Sequence, residues 1–138
     1  MTHGRKLNIA LLQMRSGTDP AANVAAIMQG VSEAARRGAE LVATPEMCTL
    51  MDIRPDSAAG KAHGKVDDPG VAALRALAAE FKVHLLLGSV PVALEEGRLA
   101  NRSLLIGPDG GIIARYDKIH MFDVVLCKRR LRATSSGG

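Results

Sequence analysis

The stretch LNIALLQMRSGTDPAANVAAIMQGVSEAARRGAELVATPEM, residues 7–47, decides the fold class. Its first part, Leu7–Met14, is apolar on both alternating faces, which is typical of a strand buried between two layers. Asp19 can then cap a helix, and Pro20 suits the first helical turn. Apolar residues recur at the 3.6-residue period up to Arg37, so the pattern predicts a helix over 20–37.

A second short strand, Glu40–Thr44, follows this helix and is stopped by Pro45. Residues 45–67 have mixed polarity and no clear period, so we expect a long loop, and loops of that length in compact domains are usually functional or disordered. Asp68 and Pro69 repeat the helix-start pattern, and an apolar stripe continues to Phe81.

Three more strands are predicted after the second helix, and the last two are joined by the turn sequence GPDG. The whole order is β-α-β-loop-α-β-β-β, an α/β (mixed α+β) fold that begins with crossover units and ends in a hairpin. The three predicted strands are residues 83–93, 98–106 and 111–116.

The composition fits one aliphatic domain. The chain has 138 residues, of which 47% are hydrophobic and only 2% aromatic. Because platforms that stack nucleic-acid bases need several exposed rings, we expect no nucleic-acid partner. The net charge of +4 comes entirely from the last fifteen residues, where KRRLR could hold phosphates only through one basic run.

No segment predicts a membrane span, a cofactor or a metal. No apolar run approaches the roughly 20 residues that a spanning helix needs, and the start does not resemble a signal peptide. We therefore expect a cytoplasmic protein without a membrane partner. Two cysteines do not make a disulfide framework, the histidines have no metal-binding spacing, and no glycine-rich nucleotide motif occurs.

Two charged residues are candidates for chemistry. Glu46 follows a predicted strand, and ligand sites in open α/β sheets lie at the carboxyl ends of strands. Lys118 lies just past the last predicted strand, beside Asp117. The alternative for each is an ordinary surface charge, with Lys118 paired to Asp117, and neither position is decisive alone.

Several segments in order resemble the nitrilase superfamily of carbon–nitrogen hydrolases, and the similarity covers roughly residues 6–123. Within that superfamily the chain is most similar to amidases of the ω-amidase and deaminated-glutathione type. The segments are KLNIALLQM (6–14), ANVAAIMQGVSEAARRGAELV (22–42), LVATPEM (41–47), GSVPV (88–92) and NRSLLIGPDGGIIARYDKIHMFD (101–123).

The resemblance implies the N-terminal half of a four-layer α-β-β-α sandwich and a site built from glutamate, lysine and cysteine. By position, Glu46 would be the general base and Lys118 the cation that stabilises the oxyanion. The implied reaction is hydrolysis of a small carboxamide to an acid and ammonia. A base is needed because a thiol is mostly protonated at neutral pH, and a fixed ammonium favours the negative oxygen that attack creates.

The chain departs from the family pattern in its nucleophile. Cys48 follows Glu46 by only two residues, and Cys127 lies in the basic tail, so neither matches the family's cysteine. The resemblance also implies a second glutamate that assists the first, but no acidic residue follows Asp123 to take that role. We therefore expect a partial carbon–nitrogen hydrolase domain over 1–123, a basic irregular tail over 124–138, and an inactive truncated or frame-shifted form.

Incomplete sheets also predict exposed apolar surface and marginal stability. The alternative function is a non-catalytic partner that associates with a full-length homologue, and homo-oligomers are a further expectation because family members tend to oligomerise.

Overall fold

The structure is a computed structural model that describes residues 4–52, 54, 58, 60–62, 68–95 and 98–118. The predicted order of elements is confirmed, with ends that differ by a few residues. The predicted tail, 124–138, lies outside the described residues. The elements are β1 (Ile9–Leu11), α1 (Pro20–Arg36), β2 (Leu41–Ala43), α2 (Pro69–Phe81), β3 (His84–Ala93), β4 (Leu99–Ile106) and β5 (Ile112–Asp117).

One mixed sheet contains all five strands in the order β1-β2-β3-β4-β5. The first three strands are parallel, and β3, β4 and β5 are antiparallel neighbours. Parallel neighbours need a crossover connection, whereas antiparallel strands can be joined by a tight turn. The predicted crossover units and terminal hairpin are therefore confirmed. Among the described residues, no helix is long and apolar enough to cross a membrane.

Both helices begin as their Asp-Pro sequences predict. The Asp19 carboxylate accepts a hydrogen bond from the backbone N–H of Ala21 at 3.0 Å, and the Asp68 carboxylate accepts one from Gly70 at 2.8 Å. These bonds satisfy N–H groups that have no partner inside the helix. At its other end, α1 stops at Arg36, and Gly38 takes a positive φ of 87° just beyond.

The core lies between the two helices and one face of the sheet. Ile27 of α1, Leu74 of α2 and Leu85 of β3 are fully buried there. Burying one such side chain stabilises a fold by about 1.5–3 kcal/mol. The aliphatic core predicted from the composition is confirmed, and it fixes the helix layer on the sheet.

The opposite face of the sheet is open, and here one prediction was wrong. Residues 7–14 were predicted to be buried on both faces, yet Leu7, Ile9 and Leu11 are 52%, 55% and 79% exposed. The other alternating face, which includes Ala10 and Leu12, packs against the core. The reason is that α1 and α2 cover a single side of the sheet. We call the uncovered side, which carries Ile9, Leu11, Leu86 and Tyr116, the open face.

Candidate active site

Glu46 lies where the sequence predicts it, at the carboxyl end of a parallel strand. Strand β2 ends at Ala43, and Pro45 follows within two residues. Because proline has no N–H to donate, it cannot continue a ladder, and the chain turns away. The turn carries Glu46 toward the part of the sheet that β4 and β5 form.

Hydrogen bonds hold this turn against an irregular part of β3. The register between β3 and β4 shifts between Leu87 and Val90, which is the mark of a β-bulge. At the bulge, the Gly88 N–H donates to Thr44 Oγ1 at 3.1 Å, and Ser89 Oγ accepts from the Met47 N–H at 2.8 Å. The contacts on both sides of Glu46 fix its backbone.

Gly88 allows the close approach on which this arrangement depends. A Cβ atom at position 88 would lie 2.4 Å from the carbonyl oxygen of Thr44 and 2.5 Å from that of Pro45. Both distances are well below van der Waals contact, and the obstructing atoms are backbone. Met47, next to Glu46, has a positive φ of 52°. Non-glycine residues in such conformations cost energy and cluster at functional sites.

Lys118 reaches the same point from the other end of the chain. It directly follows β5, and its N–H donates to the carbonyl of Asn101 at 2.9 Å, which extends the β4–β5 ladder by one pair. Its Nζ donates to Glu46 Oε1 at 2.8 Å. The two candidates that the sequence singled out, 72 residues apart, therefore form a direct ion pair. Among the contacts of the described residues, Asp117, the alternative partner of Lys118, bonds instead to Arg102.

Asn101 is a third member of the cluster that sequence reasoning missed. Its Nδ2 donates to Glu46 Oε1 at 2.8 Å. Arg102 is paired with Asp117 in the β4–β5 register, so the next pair, Asn101 and Lys118, lies on the opposite side of the hairpin. The sequence could have predicted Asn101 only through the strand register, because the correct pairing of β4 with β5 puts Asn101 beside Lys118.

The charges favour an ionised carboxylate. The hydrogen bond from Lys118, followed by that from Asn101, lowers the pKa of Glu46 below its ordinary value. The Glu46 side chain is 56% exposed and that of Lys118 39%, so solvent can reach both. At neutral pH, Glu46 is thus negative and able to accept a proton.

Cys48 has the opposite character. Its side chain is fully buried in the core, and this burial raises the pKa of the thiol. A raised pKa leaves less thiolate, the form that acts as nucleophile. The expectation that Cys48 is not the nucleophile is consistent with this environment, while Cys127 lies outside the described residues. Within the described ranges, no group of three or more His, Cys, Asp or Glu side chains could hold a metal.

Comparison with known proteins decides the family. The family model described as carbon-nitrogen hydrolase matches residues 8–136. The chain belongs to the carbon-nitrogen hydrolase family. The resemblance that the sequence motifs indicated is therefore confirmed.

Several curated relatives of the chain are amidases. It is 36% identical over 124 residues to a deaminated glutathione amidase of Yersinia enterocolitica, with 87% of this chain and 42% of that protein covered. It is 31% identical over 119 residues to an omega-amidase of Homo sapiens, with 84% and 41% covered. The chain thus spans about two fifths of the length of these relatives.

A solved amidase from Nesterenkonia sp. has the same fold over the matched part. The TM-score is 0.73 at 24% identity, and the match covers 84% of this chain and 44% of that chain. The fold class predicted from the sequence is confirmed: a helix layer on a mixed sheet, corresponding to part of a nitrilase-fold amidase.

Proposed function

We propose that the chain provides the general base and the oxyanion-stabilising cation for hydrolysis of a small carboxamide to an acid and ammonia. The observation that carries this proposal is the 2.8 Å contact between Lys118 Nζ and Glu46 Oε1. Surface ion pairs are common and weak. This one joins a strand end of the parallel part of the sheet to the antiparallel hairpin, in a family whose curated relatives are amidases.

The two charges suit successive steps of the reaction. Glu46 takes the proton of a cysteine thiol, and the thiolate attacks the amide carbon. The carbonyl oxygen becomes negative, and the Lys118 ammonium stabilises it. Glu46 then returns the proton to the amide nitrogen, the carbon–nitrogen bond breaks, and ammonia leaves. Water hydrolyses the remaining thioester to the acid and regenerates the thiol.

The chain has two cysteines, and neither suits the role of the nucleophile. Cys48 is buried with a raised thiol pKa. Cys127 stands in the basic segment that the sequence predicts to be an irregular tail after residue 123. We propose that the 138 residues alone do not turn over a carboxamide, and that Glu46 and Lys118 act with a cysteine that this sequence does not provide.

A hybrid protein tests the proposed roles. Residues 1–118 would replace the matching part of the Yersinia enterocolitica relative, whose remaining length would complete the hybrid. We expect ammonia release from a small ω-carboxamide, with a loss of at least about 100-fold in Glu46→Gln and in Lys118→Met, because removal of a general base or an oxyanion donor costs about that much.

Matched controls make the hybrid informative. Glu80→Gln and Lys6→Met make the same chemical changes at exposed positions outside the cluster and should keep the activity. A folded hybrid without hydrolysis, or one in which Glu46→Gln is as active as the parent, would overturn the assigned roles. Ammonia release by the unfused 138-residue chain would overturn the proposal that it is inactive alone.

One observation favours a second function, that of a non-catalytic partner. The open face exposes apolar side chains, of which Leu11 is 79% exposed. Such a face could associate with a full-length homologue or with another copy of the chain. Co-purification of tagged chain with a homologue, without turnover, would favour this function. Association and a cytoplasmic location stay predictions, which cross-linking and fractionation of the source cells would check.

A further inference from the structure

The two oxygens of the Glu46 carboxylate have different surroundings. Oε1 accepts from Lys118 Nζ and from Asn101 Nδ2, both at 2.8 Å. Among the residues that the structure describes, no group donates to Oε2. One oxygen is therefore held by two donors, and the other is left open on a side chain that is 56% exposed.

The orientation of the Asn101 amide is fixed by this contact. If the amide were turned over, its oxygen would face the carboxylate oxygen, and two acceptors would oppose each other. In the observed orientation, Asn101 Oδ1 is buried and has no hydrogen-bond partner within the described part of the chain. Leaving a buried acceptor unsatisfied is unfavourable. The hydrogen bond from Asn101 to Glu46 is therefore accompanied by an unsatisfied buried oxygen, a cost that an apolar side chain at position 101 would not have.

In the proposed function, Lys118 serves two negative groups, and the neutral donor Asn101 can hold Glu46 Oε1 when Lys118 is shared. Lys118 has to stabilise a negative oxygen on the substrate while it is paired with Glu46. As the ammonium is shared, the carboxylate would lose part of its support and could rotate. Asn101 can stay on Oε1 through this step because its amide carries no charge that the substrate oxygen attracts.

We infer that Asn101 is a positioning residue, which together with Lys118 fixes Oε1 of Glu46 and leaves Oε2 as the oxygen that accepts the proton. The inference rests on the proposed function for its catalytic meaning. The hydrogen bond between the Asn101 amide and the Glu46 carboxylate can be measured in the 138-residue chain itself, without any enzymatic activity.

The first measurement uses the unaltered chain. In a pH titration followed by NMR, the side-chain amide resonances of Asn101 should shift with the same midpoint as the Glu46 carboxyl carbon. The reason is that protonation of Glu46 weakens the N–H···O⁻ hydrogen bond. Glu46→Gln assigns the carboxyl signal and should abolish the amide shift. Asn101 amide signals that do not change through the Glu46 titration would overturn the inference.

Two substitutions of Asn101 then measure how much its amide lowers the pKa of Glu46. Asn101→Leu removes the donor, and Asn101→Asp puts a second negative charge in its place. The Glu46 pKa should rise in the first variant and rise further in the second, since like charges disfavour ionisation. Asn8→Leu is the matched control, because it makes the same chemical change at an exposed position outside the cluster.

The outcomes separate this inference from the proposed function. An unchanged Glu46 pKa in Asn101→Leu, or an equal rise in Asn8→Leu, overturns the positioning role. If the variants do not fold, the titration of the unaltered chain decides alone. An inactive hybrid protein would count against amide hydrolysis but leave these titrations, and the role of Asn101 in holding Glu46, intact.

Discussion

At the scale of single residues, the site depends on Gly88 as much as on the charged groups. Its missing side chain lets β3 lie against the backbone of Thr44 and Pro45, directly before Glu46. Substitution at this position should therefore act on the site through the backbone, without removing any polar group.

Gly88→Ala should destabilise the chain by about 1–3 kcal/mol, because an added methyl would meet backbone atoms that have to move. The same movement should separate Glu46 from Lys118 and raise the Glu46 pKa. Urea unfolding and NMR titration measure the two effects. Gly17→Ala is the control, since nothing lies within 4 Å of its added Cβ and its stability should change by less than about 0.5 kcal/mol.

The ion pair gives stability a defined pH dependence. The pKa of Glu46 is lowered in the folded chain, so its contribution is fully present above the unfolded-state pKa and is lost as pH falls through the folded-state pKa. The stability advantage of the wild type over Glu46→Gln should be at most about 1 kcal/mol at pH 7, since the pair is solvent-accessible. It should shrink toward acid pH.

Urea unfolding of both proteins from pH 3 to pH 7 checks this sign. A difference that stays constant over the range, or that grows toward acid pH, would show that the Glu46 carboxylate gains nothing from its surroundings in the folded state.

The residues that sequence did and did not predict differ for a physical reason. Glu46 and Lys118 belong to segments with a recognisable family pattern. Asn101 also stands in such a segment, yet its contact with Glu46 depends on the register of β4 against β5 and on the course of the turn after β2. A strand slip of one residue would send its side chain to the other face.

At the scale of elements, the β4–β5 hairpin carries Lys118 and is held by an ion pair of its own. Arg102 of β4 is 7% exposed in its side chain and donates from Nε and Nη2 to the Asp117 carboxylate of β5 at 2.5 and 2.7 Å. The hydrogen bonds to Asp117 raise the pKa of the Arg102 guanidinium, so this group stays positively charged. The pair directly precedes the Asn101–Lys118 position.

Asp117→Asn should cost about 1–3 kcal/mol, because it leaves the nearly buried Arg102 guanidinium without its carboxylate. Arg102→Met should cost less, because Asp117 is 45% exposed and can be solvated when its partner is apolar. Thermal and urea unfolding rank the two variants. The reverse order would contradict the importance assigned here to the buried guanidinium.

Element boundaries show how far local pattern determines the fold. Capping aspartates and prolines placed both helix starts correctly, because their hydrogen bonds are local. Residues 7–14 were predicted to be buried on both faces, because the apolar pattern alone does not show what covers each face. In the described structure, one of those faces is open.

At the scale of the whole molecule, the open face is the main exposed apolar feature of the described chain. The relatives are more than twice as long as the part they share with this chain. Exposed apolar surface promotes association, and its removal should change association more than stability.

Leu11→Lys should weaken self-association or co-purification, because it puts a charge on an open-face side chain that is 79% exposed. Stability should change by less than about 0.5 kcal/mol. Gln29→Lys adds a positive charge at an exposed position of α1 and should leave association unchanged. Sedimentation over a concentration series compares the three proteins, and equal association in all of them would exclude the open face as the contact.

The fold brings the Lys118 ammonium onto the Glu46 carboxylate, and every proposed role of the site depends on this contact. The most direct measurement is the pKa of Glu46 in the wild type and in Lys118→Met, by NMR on the folded chain. We expect a pKa below the ordinary glutamate value in the wild type and a clear rise in Lys118→Met, with no change in Lys6→Met. An ordinary pKa in the wild type that Lys118→Met leaves unchanged would contradict this expectation.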